Sequence, residues 1–221
     1  MTGTPPRLAV LASGRGSNLQ AILDAIDAGE LDARVVGVFG DRPKAHALQR
    51  ARDAGIPARA LRPREHADRD AFDAARFAEV AAVRPDFIVC AGYMRLLGAA
   101  ALAPWAGRIV NIHPSLLPEF KGLDTHARAI AAGVDEHGAS VHFVTADLDG
   151  GPVIAQARVP VRPGDDAGTL AARVLETEHP LMVATLQLLC SGRASLRGEV
   201  VHVDGRPLAA PLQLTANSRL A

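Results

Sequence analysis

Apolar residues fall along the chain in short runs separated by longer stretches with helical spacing. RLAVLAS (residues 7–13) has strand length, and SNLQAILDAIDA (17–28) follows it with Leu19, Ile22, Leu23 and Ile26 on one helical face. RVVGVFG (34–40) reads as a second strand and KAHALQRARDAG (44–55) as a helix closed by Gly55. IPARAL (56–61) is a weaker strand, placed at a sheet edge by Pro57. Residues 68–83 predict a helix; DFIVCAG (86–92) and RIVNIH (108–113) are the fourth and fifth strands. Strands spaced by helices imply right-handed crossovers. The expected class is α/β: a doubly wound, mostly parallel twisted sheet covered on both faces.

The last third changes character. HGASVHFVTADLDGGPVIAQARVPV (137–161) holds two strand-like runs joined by ADLDGG, a hairpin signal that adds antiparallel strands near the C-terminus. Residues 166–190 predict a long helix, and SLRGEVVHVDGRP (195–207) a final strand with an Asp-Gly turn. With no repeat, low-complexity tract or linker, the reading is a single domain over residues 1–221. Residues 1–5 and about 210–221 are expected to be poorly ordered.

Composition narrows the function. Of 221 residues, 48% are hydrophobic and 22% charged, and the formal net charge is zero. That balance gives no argument for nucleic acid or an acidic membrane as partner. The two cysteines make no disulfide framework, and Cys90, inside an apolar run, reads as a small hydrophobe. The first residues lack the charged-then-apolar order of a secretion signal, and no apolar run reaches the ~20 residues of a membrane helix, so the expectation is a cytoplasmic chain.

In an open α/β sheet, ligands bind beyond the carboxyl ends of the strands. SGRGSNL (13–19) lies there, between the first strand and its helix. Gly14 and Gly16 let backbone N–H groups turn toward a ligand at a helix N-terminus, which suits an anion. A single phosphate fits better than a pyrophosphate, because Leu19 replaces the third glycine of a dinucleotide loop. The alternative is a plain Gly-rich turn with Ser17 as N-cap. VNIHPSLLPEFKGL (110–123) ends a strand on Asn111 and His113, two apart and therefore on one face. An amide N–H₂ can stabilise a developing oxyanion and an imidazole can move a proton, a pairing suited to carbonyl chemistry. Read alone, Asn111 in an Asx turn and His113 bonded to loop carbonyls serve as well. DLDGG (147–151) offers Asp149 as a charge partner for a histidine, or a polar turn. The eight histidines show no metal-ligand spacing, so no metal is expected.

Taken together, LASGRGSNLQAIL, AGYMRLL, NIHPSLLPEFKG and the 137–161 block resemble the folate-dependent glycinamide ribonucleotide formyltransferases of purine synthesis. The likeness runs from Arg7 to about Gly205 and implies their Rossmann-like formyltransferase fold. It implies direct transfer of the formyl group of 10-formyltetrahydrofolate, a co-substrate, to the amine of 5'-phosphoribosylglycinamide through a tetrahedral intermediate. Residue by residue, it implies catalytic roles for Asn111, His113 and Asp149, with Asp149 holding His113 protonated. It implies substrate binding by Arg15, Gly16, Ser17, Asn18 and Glu178. It implies a folate site at Arg69, Met94, Arg95, Leu96 and Leu97, with Asn111 shared. Asp124 stands where some relatives carry His and receives no role. Rival readings are a formyltetrahydrofolate deformylase, a methionyl-tRNA formyltransferase and a non-catalytic nucleotide-binding module. Partners are expected to be the two small molecules, with the oligomeric state open between monomer and homodimer.

Overall fold

The computed structural model describes residues 4–221. The chain groups into two compact units, Met1–Asn111 and Ile112–Ala221.

The first unit holds β1 (Arg7–Leu11), α1 (Ser17–Asp27), β2 (Arg34–Gly40), α2 (His46–Asp53), β3 (Ala58–Ala60), α3 (Arg69–Ala82), β4 (Phe87–Cys90) and the short α4 (Ala99–Leu102). β5 (Ile109–His113) carries the boundary between units. The order β5-β4-β1-β2-β3 is parallel throughout, and β3 is the edge strand, as Pro57 requires. Leu8, Ala9, Val10 and Leu11 are fully buried, as are Ile88 and Val89. Consecutive strand residues point to opposite faces, so unbroken burial means that both faces are covered. That is why these strands read as continuous apolar runs rather than alternations. Cys90 packs as expected: it is buried, and burial pushes its thiol up to about 12.

The second unit begins with α5 (Thr125–Ala131), then the antiparallel hairpin β6 (Glu136–Phe143) and β7 (Val153–Pro160). α6 (Ala167–Cys190) packs on both hairpin strands. It starts where Asp166 caps it: the carboxylate accepts from Thr169 N–H at 2.7 Å while Thr169 Oγ1 accepts from Asp166 N–H at 3.2 Å. The mostly parallel α/β class with antiparallel strands near the C-terminus therefore holds.

Three readings differ. The single final strand is a meander of β8 (Ala194–Arg197), β9 (Val200–Val203) and β10 (Arg206–Pro207), because Gly198 and the Asp204-Gly205 pair each take positive φ and reverse the chain. Residues 124–135, to which the sequence reading gave no element, contain α5. Residues 210–221, expected to be loosely held, contain β11 (Leu212–Gln213), which pairs in parallel with β7. Of the N-terminal residues expected to be poorly ordered, 1–3 lie outside the described residues.

A buried polar knot ties the loop after β5 to the hairpin. Ser140 Oγ donates to Ser115 O at 2.7 Å and accepts from Leu117 N–H at 3.0 Å. Gln156 Nε2 donates to Leu117 O at 2.9 Å. Ser140 is fully buried, so removing its hydroxyl strands groups that water cannot reach. Ser140→Ala should lower the unfolding free energy by about 1–3 kcal/mol. A urea midpoint equal to wild type would show that the knot is dispensable.

Candidate active site

Two segments in the first unit carry predicted site residues. After β1, Gly16 caps α1 at φ 73°, and a Cβ there would meet Ala47 Cα and Cβ at 2.7 Å. Only glycine fits. Ser17 is thus the first helical residue and not the N-cap of the turn reading, and no side chain caps the helix. Backbone amides at such a helix start suit an anion. Arg15 is exposed, and its carbonyl accepts from Arg50 Nε at 3.0 Å; Asn18 is buried.

After β4, the predicted folate segment lies beside this turn. Ser13 Oγ accepts from Met94 N–H at 3.0 Å, and Ser13 N–H donates to Gly92 O at 3.1 Å. Met94 and Leu96, two residues apart, are exposed at 57% and 54%, an unusual outlay of apolar surface. Arg69 opens α3, exposed, with Nε 3.8 Å from Asp70 Oδ1. Arg95 lies over the Phe72 ring at 5.2 Å.

Arg76, which the sequence reading passed over, supports that segment. It is fully buried, with its guanidinium 3.9 Å from the Phe72 ring centroid and 4.7 Å from that of Tyr93, the residue before Met94. Burial lowers its pKa to about 10, with Asp73 opposing. Asp73 Oδ2 also accepts from Gly98 N–H at 2.8 Å, so one buried pair touches both ends of residues 93–98. An Arg on the apolar face of a helix is the signal that would have found it.

In the second unit, His113 and Asp149 meet: Nδ1 lies 3.3 Å from Asp149 Oδ2, and Nε2 lies 3.1 Å from Phe120 O. Both ring nitrogens face acceptors. Asp149 Oδ2 also accepts from Gly122 N–H at 3.0 Å, and Oδ1 lies 3.7 Å from His142 Nε2. His142, buried on β6, was not among the predicted residues. The available clue was a histidine on the strand that leads into DLDGG, close in sequence to Asp149. Phe120 and Asp149 both take positive φ, 51° and 47°. Such backbone is costly for a bulky residue, and it concentrates where the ring is gripped. Gly151 is required because a Cβ would run into the Phe143 carbonyl oxygen.

Asn111 is half-buried on β5, two residues before His113. Glu178 is half-buried within α6. Asp124 takes φ 56° before α5, and no side-chain bond caps that helix. Among the described residues, no group of three His, Cys, Asp or Glu could hold a metal ion, and no helix is long and apolar enough to cross a membrane.

The electrostatics correct one expectation. Asp149 and the Phe120 carbonyl do raise the His113 pKa, but burial is the larger effect, and the result lies below the ordinary 6.5. His113 is therefore neutral at rest at pH 7. Asp149 lies below its ordinary value: the His142 and Gly122 hydrogen bonds and both histidine charges together outweigh its burial.

The formyl transferase profile matches residues 6–186. The chain belongs to the formyl transferase family. It is 44% identical over 201 residues to the phosphoribosylglycinamide formyltransferase of Escherichia coli K12, covering 91% of this chain and 95% of that protein. The structure of the phosphoribosylglycinamide formyltransferase of Coxiella burnetii superposes with a TM-score of 0.89 at 44% identity, over 93% of this chain and 96% of that one. The structure of the formyltetrahydrofolate deformylase of Burkholderia mallei is a more distant match, with TM-score 0.81 at 30% identity over 90% of this chain and 70% of that one.

The titration directions give a testable consequence. His113, His126 and His137 all lie below 6.5, His137 at about 4, each chiefly through burial. Below pH 6.5 the unfolded chain binds more protons than the folded one. Stability is then complete above about 6.5 and lost progressively as pH falls toward about 4. Urea midpoints across that window should fall with acidification; a flat profile would place these rings in solvent.

Proposed function

We propose that this chain transfers the formyl group of 10-formyltetrahydrofolate to the amine of 5'-phosphoribosylglycinamide in purine synthesis. The observation that carries the reading is the His113–Asp149 pair at 3.3 Å, held on β5 and the β6–β7 hairpin of a formyl transferase chain. The relatives' names supply the substrate.

The substrate phosphate belongs at the uncapped α1 N-terminus, on the N–H groups of Gly16, Ser17 and Asn18 with Arg15 alongside. Glu178 is assigned to the ribose side. Met94, Arg95, Leu96 and Leu97 are assigned to the folate ring system, and Arg69 to the acidic tail of the co-substrate. The two substrates are small molecules, the compartment assigned is the cytoplasm, and the homodimer remains the assembly to look for by size-exclusion chromatography.

The free amine attacks the formyl carbon, forming the new C–N bond and an oxyanion. Asn111 N–H₂ donates to that oxyanion, a kind of contact worth about 3–4 kcal/mol. His113, neutral at rest, accepts the proton that the attacking nitrogen must lose. Asp149 stabilises the imidazolium so formed. His113 then gives the proton to N10 as the old C–N bond breaks, so the ring ends as it began. No Ser or Cys nucleophile enters.

Asn111→Ala should cost about 10²–10³ in kcat, and His113→Ala about 10²–10⁴, with KM for the ribonucleotide retained. Asp149→Asn should move the pH–rate profile, because it removes charge and keeps shape. The assay uses 10-formyl-5,8-dideazafolate with and without glycinamide ribonucleotide. Amine-dependent loss of formyl is expected. Amine-independent loss would turn the reading to the deformylase, and none at all would remove the catalytic assignment.

A further inference from the structure

The chain contains Arg-Pro followed by a basic residue twice in its first unit: Arg42-Pro43-Lys44 and Arg62-Pro63-Arg64. The fold makes them neighbours. β2 and β3 are parallel, with Gly40 opposite Ala60, and Leu61 N–H donates to Gly40 O at 3.0 Å. Each tripeptide therefore begins two residues past the same rung of the ladder. The six residues, with Asp41, line one recess of about 560 Å³ at the carboxyl ends of these strands.

The charge there is poorly compensated. Four cations and one carboxylate line the recess, a balance of three positive charges in a chain of formal net charge zero. Arg62 has a partner, Glu65, at 3.2 Å. Arg42, Lys44 and Arg64 are exposed and form no ion pair among the described residues. Two prolines stiffen the arms, and Pro63 opens a 3-10 turn. Gathering like charges at one mouth is unfavourable unless an anion offsets it. Asp41 is 7% exposed, and its carboxylate supports the charge of the buried Arg76 guanidinium.

We infer that this recess is a second anion site that takes a diphosphate-class ligand, one phosphate on each Arg-Pro-basic arm. Arg forks match phosphate oxygens in pairs, and two arms of two cations suit two phosphates better than one. The site is separate from the loop after β1, none of whose residues line the recess. It is also separate from Asn111, since β4 and β1 lie between β5 and β2 in the sheet of this unit.

The test is titration of the ¹⁵N-labelled full chain with sodium pyrophosphate at low ionic strength, followed by amide shifts. Saturable shifts should appear at residues 41–44 and 61–65. The Arg42→Ala/Arg64→Ala double variant should bind at least about tenfold more weakly, as expected for lost charge-assisted contacts. Formyl transfer should be unchanged in that variant, because neither residue belongs to the catalytic assignment. An ADP titration run in parallel separates sources: tighter binding than pyrophosphate indicates a nucleotide, weaker binding a free diphosphate. Shifts confined to residues 14–18, no saturation in the millimolar range, or equal affinity in the double variant would each overturn the inference. The readout is binding, so it stands or falls independently of the formyl-transfer reading.

Discussion

The carboxylate of Asp149 is the constraint on which the second unit is arranged. A half-buried charge needs partners, and this one has Gly122 N–H, His113 and His142 around it. Each partner imposes a condition on the backbone. Asp149 must sit at φ 47°, and Gly151 must pass the Phe143 carbonyl without a side chain. Gly122 must come back toward the hairpin, which requires the loop from Pro114 to fold over it. That loop is held by Ser140 and Gln156, residues far from it in sequence and bonded to its carbonyls and amides. The polar knot under the loop and the His113–Asp149 contact above it are one arrangement. The buried hydroxyl fixes the loop, and the loop supplies the amide that keeps the carboxylate charged.

His113 is caught between opposing effects of similar kind. Two acceptors around its ring favour the imidazolium, while burial and the His142 and Arg128 charges disfavour it. Burial prevails, yet the acceptors remain in place for the moment a proton arrives. A ring that is neutral at rest and has its counter-charge already positioned is suited to taking a proton and returning it. A fully solvated histidine would lose the pre-positioned partner; one buried beside no carboxylate would refuse the proton.

Legibility followed from how many faces of an element are buried. β1, β2, β4 and β5 are covered on both sides, so their unbroken apolar runs announced them. α1 and α3 showed their periodicity because only one face of each is buried. β11 and the β8–β10 meander are short and half-exposed, and their pairing is decided by contacts distant in sequence, which no local pattern carries. At the site, the Asn111-x-His113 spacing was visible because strand geometry makes it local. His142 and Arg76 were not. Their importance comes from what the fold brings to them, Asp149 in one case and the rings of Phe72 and Tyr93 in the other. The direction of the His113 shift was missed on similar grounds: a carboxylate partner can be guessed from sequence, but the depth of burial cannot.

Parallel pairing explains why so much chemistry gathers at one edge of the first unit. Strands running the same way deliver every following loop to the same end, and those loops cannot pair with one another as strands do. The Gly-rich turn after β1, the Arg-Pro arms after β2 and β3, and the segment after β4 therefore share an edge without sharing a role. Strand order then sorts them. β1 and β4 are adjacent, and Ser13 bonds Met94 directly, so their loops form one structure. β2 and β3 lie on the other side of β1 and end in cations instead of an uncapped helix. Backbone amides at a helix start recognise an anion by direction, whereas paired guanidinium groups recognise it by charge and shape. The same sheet thus presents two chemically different candidate receptors for anions, separated by the order in which its strands were laid down.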